Sequence, residues 1–375
     1  MSKSKFKLKK YLKSTDRVLI SLCAITSIYS CILLFSLGIN DKIAMSVFSK
    51  QAIFSALGLI IAIVVSKLDY EFMAKMWKLH MPVALTLTLL TFTSLGVQRA
   101  EYIDDRAWLY VPFIGTFQPS ELLKLSFILT FSFHLSLVSK SINKLKTLIP
   151  LCIHGAIPVL LIHLQGDDGT AMIFAIIFAL MIFKAGLSYK YILSAVGAVA
   201  VLAPLMWMFV LSEHQKSRFL AVYSPQNSSK SILWQQYIGK IAIGSGGIAG
   251  KGFTSDTFQP VPEEHNDFIF SFLGESMGFL GAIVMLALII FICLRIVYVI
   301  RIADDELGEN ICVGVFSMIF AQSVINIGMN LSLIPVIGIT LPLMSAGGTS
   351  VIATYISIGF VLSVYNRARG NMFLD

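Results

Sequence analysis

Long apolar runs follow one another along almost the whole chain, separated by short polar stretches. Each run approaches or exceeds the roughly 20 residues that carry a helix across a bilayer core. About ten such spans are predicted, near 18–39, 47–66, 77–97, 120–139, 147–165, 169–185, 189–211, 268–294, 308–332 and 349–366. Only Gln165-Gly166-Asp167-Asp168 separates the fifth from the sixth, so a tight helical hairpin is expected there. Three connections are longer or richer than a link requires: about 98–119, 212–267 and 333–348. Structureless loops beyond ~15 residues are uncommon in compact domains and are usually functional. In the last of the three, Pro335 and Pro342 and two glycine turns interrupt apolar stretches, which predicts a re-entrant segment. Broken backbone at membrane depth must be buried in protein or line a polar cavity. The expected fold is an all-α polytopic membrane protein of about ten transmembrane helices with large outer loops and a re-entrant segment. It forms one transmembrane domain over 1–375, with a basic tail over 1–17 and a large extracytoplasmic loop over 212–267.

Composition agrees. Charged residues make up 13% of the 375, against about a quarter in soluble domains, and 56% are hydrophobic. The net charge of +8 is therefore read by location. Lys3, Lys5, Lys7, Lys9, Lys10, Lys13 and Arg17 precede the first span. Lys67, Lys75, Lys78, Lys140, Lys144, Lys146, Lys184, Lys190, Arg295 and Arg301 fall in the even-to-odd connections, and Arg367 and Arg369 in the tail. Roughly two-thirds of all Lys and Arg thus lie on one side, which the positive-inside rule makes cytoplasmic. Both termini are then cytoplasmic and the long loops outside; no nucleic-acid partner is expected. No cleavable signal peptide is expected, since the first apolar run is too long for one. The five cysteines sit inside apolar runs and read as packing residues.

Several polar groups stand where a membrane protein seldom spends them. Asp267 lies at the mouth of the 268–294 span, and Glu275 lies two turns deeper, where an unpaired charge costs roughly 2.5–3.5 kcal/mol. The plain alternative is a helix cap for Asp267 and a paired or protonated Glu275. In the first outer loop come Arg106 and Trp108, then Phe117-Gln118-Pro119-Ser120-Glu121 and Lys124. Pro119 opens the fourth helix, and Glu121 and Lys124, three apart, share one face. They form either an ordinary helix-end pair or, with Arg106, a site for an anionic headgroup. Trp108 suits an interfacial anchor or a sugar-stacking platform. Within 212–267, Trp234, Tyr237, Ile238, Ile241 and Ile243 predict an interfacial amphipathic helix. The Gly244–Gly252 stretch after it is either a hinge or a phosphate cradle, although its spacing does not match a Walker loop.

Taken together these motifs resemble the SEDS family of bacterial wall polymerases, which includes RodA, FtsW and SpoVE. The resemblance rests on Phe117 to Lys124, Gly244 to Phe253, Pro262-Glu263 with His265, Asp267 to Ser271, and the block from Asn326 to Ser350. Asn326-Ile327-Gly328-Met329-Asn330 and Ile334-Pro335-Val336 are most similar to the RodA branch. The chain departs from the usual pattern at Gly166, Ala107, Asn266, Ser276 and Ala346. The resemblance implies a peptidoglycan glycosyltransferase that polymerises lipid II during cell elongation, in the bacterial cytoplasmic membrane. It implies Asp267 as the general base and Lys124 and Arg106 as pyrophosphate ligands, with Trp108, Glu121, Glu275, Ser345 and Gly347 in the substrate site. A class B penicillin-binding protein and other elongation-complex membrane proteins are the implied partners, and magnesium or manganese the implied cation. A lipid II flippase or a non-catalytic scaffold of a transpeptidase complex are the rival expectations.

Overall fold

A computed structural model describes residues 15–97, 106–112, 115–209, 213–223 and 230–371. In chain order the helices are α1 (Arg17–Ile39), α2 (Met45–Val65), α3 (Tyr70–Lys75), α4 (Trp77–Leu90), α5 (Pro119–Val138), α6 (Leu145–Leu164) and α7 (Asp168–Lys184). There follow α8 (Tyr189–Phe209), α9 (Glu213–Tyr223), α10 (Lys230–Ser245), α11 (Ile269–Ile302), α12 (Glu306–Asn330) and α13 (Gly348–Asn371). Carboxylate caps begin four of them: Asp16 accepts from the Leu19 N–H, Asp69 from Glu71, Asp167 from Thr170 and Asp305 from Gly308. Each of the ten expected apolar runs contains a helix. Among the described residues eight helices are long and apolar enough to cross a membrane unaided, and α4 and α7, of 14 and 17 residues, are shorter.

The shortening of α4 corrects the expected 77–97 span. Thr91 and Thr93 turn their hydroxyls back onto the Thr88 and Leu90 carbonyls, offering the backbone an exit from the helix. The chain then folds over so closely that a Cβ on Gly96 would strike the Thr91 carbonyl. It enters a three-stranded antiparallel sheet of β1 (Gly96–Val97), β2 (Trp108–Val111) and β3 (Gly115–Phe117). Leu109 pairs with Phe117 in this sheet, which hands the chain to Pro119 and α5. Among the described residues this is the one sheet in an otherwise helical plan, and the aromatic and apolar side chains of β2 favour it.

At the centre stands α12, mostly buried and packed on α5, α7, α11 and α13, while α13 lies along α2. By contrast α8 buries none of its side chains against the rest of the chain. The ends of α1, α11 and α13 meet on one face. There Asp16 pairs with Arg295 at 2.7 Å, and Arg367 reaches Asp69, Glu71 and Asp305 at 3.3–3.9 Å. The Tyr70 hydroxyl donates to Asp305 at 2.8 Å, so that a polar lattice of two clusters lies on this face.

Candidate active site

The opposite face holds the candidate residues, organised by an irregular stretch of backbone between α12 and α13. This stretch is re-entrant, as expected. Its Met344 carbonyl accepts from Ser30, nine residues before the end of α1, about 13 Å along the helix axis. The Ser345 carbonyl accepts from Gln51 of α2 at 3.2 Å. Side chains of two spanning helices thus satisfy the carbonyls of a non-helical segment, which is how such backbone survives inside a bilayer.

Asp267, 8% exposed, sits in the turn before α11. That turn is pinned through its backbone. Asn326 and Asn330, one helical turn apart on α12, donate to the Asp267 carbonyl at 2.8 and 2.9 Å. Ser345 donates to the Asn266 carbonyl at 2.6 Å, and the Ala346 N–H donates to the His265 carbonyl at 2.8 Å. Asn330 also accepts from the Ser271 amide and hydroxyl, at 3.1 and 2.7 Å. The Asp267 carboxylate faces Gly338, whose φ of 68° suits glycine and where a Cβ would stand 3.8 Å from Oδ2.

A second cluster lies on the other side of the same segment. Lys124, 1% exposed, donates to Glu121 at 2.8 Å within the first turns of α5. Asp167, the cap of α7, lies close enough for both charges to act on it and accepts from Gln118 at 3.0 Å. Burial pushes the Asp167 carboxyl above its ordinary value, against the Thr170 N–H and Lys124, which favour its ionised form. Gly169 presses on the Ile337 carbonyl so tightly that no Cβ fits. The strip at Ile337–Ile339 therefore touches the Lys124 cluster at one edge and Asp267 at the other. Arg106 is exposed just before β2, and Trp108 is half-buried within it, pairing with Val97. Trp108 stands on the sheet that leads to Gln118, and Arg106 precedes that sheet by two residues.

Three expected residues take structural parts. Glu275 is 0% exposed, and its carboxylate receives Lys251 at 2.6 Å, Ser245 at 3.2 Å and the Gln259 N–H at 2.9 and 3.1 Å. It anchors the loop before α11 instead of joining Asp267. The Ser345 hydroxyl is occupied by the Leu341 N–H and the Asn266 carbonyl. Gly347 turns its N–H toward Gln51 at 3.4 Å and leaves open space on its Cβ side, where only Ser350 approaches.

The Gly-rich stretch is not a phosphate cradle. At Gly278 (φ 63°, ψ −161°) α11 breaks, freeing backbone groups that the loop repairs. The Lys251 and Gly252 N–H groups donate to the Glu275 and Ser276 carbonyls at 2.9 Å, and the Phe279 and Leu280 N–H groups donate to the Gly247 and Ile248 carbonyls at 2.9 and 3.1 Å. The amphipathic segment does form α10. Its Ile238 and Ala242 are buried, and Gly239 is pressed against Phe268, so it packs behind the Asp267 turn while Trp234 and Tyr237 remain exposed.

Sequence reading gave Gln118 only a place near the cap of the fourth helix and assigned no role to Asp167, Asn326 or Asn330. Asp167 carried a signal, a carboxylate in a four-residue hairpin between two apolar spans. The asparagines carried another, two amides at i and i+4 on one helix face.

The FtsW/RodA/SpoVE family model, described as a cell cycle protein, matches residues 16–370. The peptidoglycan glycosyltransferase MrdB of Escherichia coli is 29% identical over 323 residues, covering 84% of each chain. A probable peptidoglycan glycosyltransferase FtsW of Geobacter metallireducens is 31% identical over 329 residues, 86% of this chain and 85% of its own. Among solved structures, a chain of a peptidoglycan synthase complex that coordinates polymerization and crosslinking superimposes with TM-score 0.81 at 26% identity, covering 94% of this chain and 98% of that one. The rod shape determining protein RodA of Thermus thermophilus superimposes with TM-score 0.66 at 26% identity, over 94% of this chain and 96% of that one.

Proposed function

The chain belongs to the FtsW/RodA/SpoVE family, and from that premise we propose that it is a peptidoglycan glycosyltransferase joining lipid II units into glycan strands during elongation. The observation that carries the reading is the immobilised Asp267, a carboxylate at a span mouth whose turn is held by four backbone hydrogen bonds across a non-helical strip from a buried lysine. Rigid placement of a base and a cation around one space is what a group transfer needs, because the orientation cost is met before substrate arrives.

In the reaction, the acceptor hydroxyl gives its proton to the Asp267 carboxylate as its oxygen bonds to the anomeric carbon of the donor. The bond from that carbon to the pyrophosphate oxygen breaks, and the bonding pair leaves with the pyrophosphate. Lys124 has three N–H donors, one of them spent on Glu121, so the others can meet the departing anion. Arg106, just before β2, adds a second positive charge.

The divalent cation is retained as a proposal, magnesium or manganese. Among the described residues no three His, Cys, Asp or Glu side chains converge as ligands. An ion held mainly by substrate phosphates, the usual manner of magnesium, needs no such cluster. When bound, the ion would neutralise pyrophosphate charge.

The protein is placed in the bacterial cytoplasmic membrane with the latticed face and both termini inside, in keeping with the distribution of Lys and Arg. A class B penicillin-binding protein is its proposed partner, as the synthase complex suggests. Transport is disfavoured by the polar lattice on the terminal face, since alternating access would have to break it in every cycle.

The test is polymerisation of detergent-solubilised lipid II by the purified protein, with partner and cation supplied and with EDTA as a control. Wild type is expected to make glycan strands and Asp267→Asn none, while the variant melts like wild type. Absence of strands from wild type would favour transport or scaffolding, and near-normal turnover by Asp267→Asn would remove it from the base role.

A further inference from the structure

The connection between α1 and α2, residues 40–44, is remote in sequence from Asp267, yet it reaches the turn that carries it. Lys42 leaves the end of α1 with its backbone fixed, its N–H donating to the Leu37 carbonyl at 3.1 Å. Its ammonium donates to the Gln259 carbonyl at 2.5 Å and to the Glu264 carboxylate at 3.0 Å, and lies 5.7 Å from the Phe258 ring centre. Phe258 in turn packs edge-on against Phe272 of α11. Both charged side chains are largely out of water, with 16% and 8% of their surfaces exposed.

The two contacts bracket a short piece of backbone. Gln259 is held at its carbonyl by Lys42 and at its N–H by Glu275, which Lys251 neutralises. Glu264 lies three residues before Asp267. The intervening turn is closed by the Asn266 and Phe268 N–H groups donating to the Glu263 carbonyl, with Glu263 itself at φ 54°. The same end of α1 grips the loop again, since Ser36 and Asn40 both donate to the Phe253 carbonyl at 2.7 Å. On the far side the turn is fixed by Asn326, Asn330 and Ser345. Lys42 is thus the charged contact on the near side, and the only bridge from α1–α2 to Glu264 among the described residues.

We propose that Lys42 is a positioning residue for the reaction centre, setting through Gln259 and Glu264 the height of the 259–267 turn and hence of the Asp267 carboxylate. The inference rests on the functional reading above. A displacement of about 1 Å at a reacting group can cost up to a hundredfold in rate, so a partial release by a neutral side chain is expected to cost about tenfold.

Steady-state polymerisation by the full chain, normalised to folded protein, tests it. Lys42→Met is expected to lower kcat about tenfold with KM for lipid II within about twofold. Lys42→Arg should recover most of the rate, because a guanidinium can still bridge a carbonyl and a carboxylate. Lys42→Met combined with Glu264→Gln should be no worse than Lys42→Met alone, since both act on one contact. Hydrogen exchange over 259–268 provides a readout independent of turnover, and Lys42→Met should accelerate it relative to wild type. Unchanged exchange, or a wild-type kcat in well-folded Lys42→Met, overturns the proposal, as does a loss that Arg does not rescue. Asp267→Asn is measured alongside: activity in that variant would topple the functional reading itself, whereas a dead Asp267→Asn beside a fully active Lys42→Met would defeat only the positioning role.

Discussion

Replacing Asn330 by alanine probes whether the turn bearing Asp267 is held by α12. The asparagine is fully buried and makes four close contacts: to the Asp267 and Asn326 carbonyls, each at 2.9 Å, and from the Ser271 amide and hydroxyl at 3.1 and 2.7 Å. At about 1 kcal/mol net for each hydrogen bond, the full loss would approach about 4 kcal/mol. Two groups keep a second partner, however. The Asp267 carbonyl retains Asn326 at 2.8 Å, and the Ser271 N–H retains the Phe268 carbonyl at 3.0 Å. The expected destabilisation is therefore about 2–3 kcal/mol, with the Ser271 hydroxyl as the group left without its acceptor. The turn should also loosen, so kcat on lipid II should fall by about tenfold or more while KM changes little. Thermal unfolding in detergent reads the first quantity and polymerisation per folded molecule the second. Ser323→Ala serves as a matched control, because it removes a buried hydroxyl bond to the Ile319 carbonyl on the same helix without touching the turn. A wild-type kcat in folded Asn330→Ala, or an equal loss in Ser323→Ala, would refute the claim that these amides position Asp267.

Two further outcomes follow from the buried charges. Lys124→Ala leaves Glu121 uncompensated inside the fold and should cost about 3–5 kcal/mol, whereas Lys124→Met with Glu121→Gln should melt near wild type yet stay inactive on lipid II; activity in the stable double variant would mean that the pair is only structural. Burial, opposed by Lys42 and reinforced by Glu275, pushes the Glu264 carboxyl from its ordinary 4.5 to about 7. The folded chain keeps a proton there that the unfolded chain gives up, so this group's stabilisation is complete below 4.5 and is lost as pH rises through about 7. The full effect, spread between pH 4.5 and about 7, is about 3 kcal/mol, and melting curves between pH 4.5 and 8 should show it in wild type but not in Glu264→Gln; equal pH dependence in both would contradict it.

The sequence by itself determined the membrane class, the helical runs and the side on which unusual polar residues gather. The reason is that burial in hydrocarbon writes itself into long apolar stretches, and the clustering of Lys and Arg separates one face from the other. Local spacing also disclosed the Glu121–Lys124 pair and the place of Asp267 at a span mouth, because both depend only on near neighbours along the chain. What tertiary structure decided depends on partners that sequence distance conceals. Lys42 and Glu264 are 222 positions apart, and Asn330 reaches Asp267 from 63 positions away. The Gly244–Gly252 stretch looked like a loop with free N–H groups, but those groups are consumed once α11 breaks at Gly278 and exposes carbonyls to be filled. Glu275 likewise belongs to Lys251 and Gln259 because the loop folds back over it. A buried polar group must find its partner wherever the fold brings one, and that obligation is met only in three dimensions.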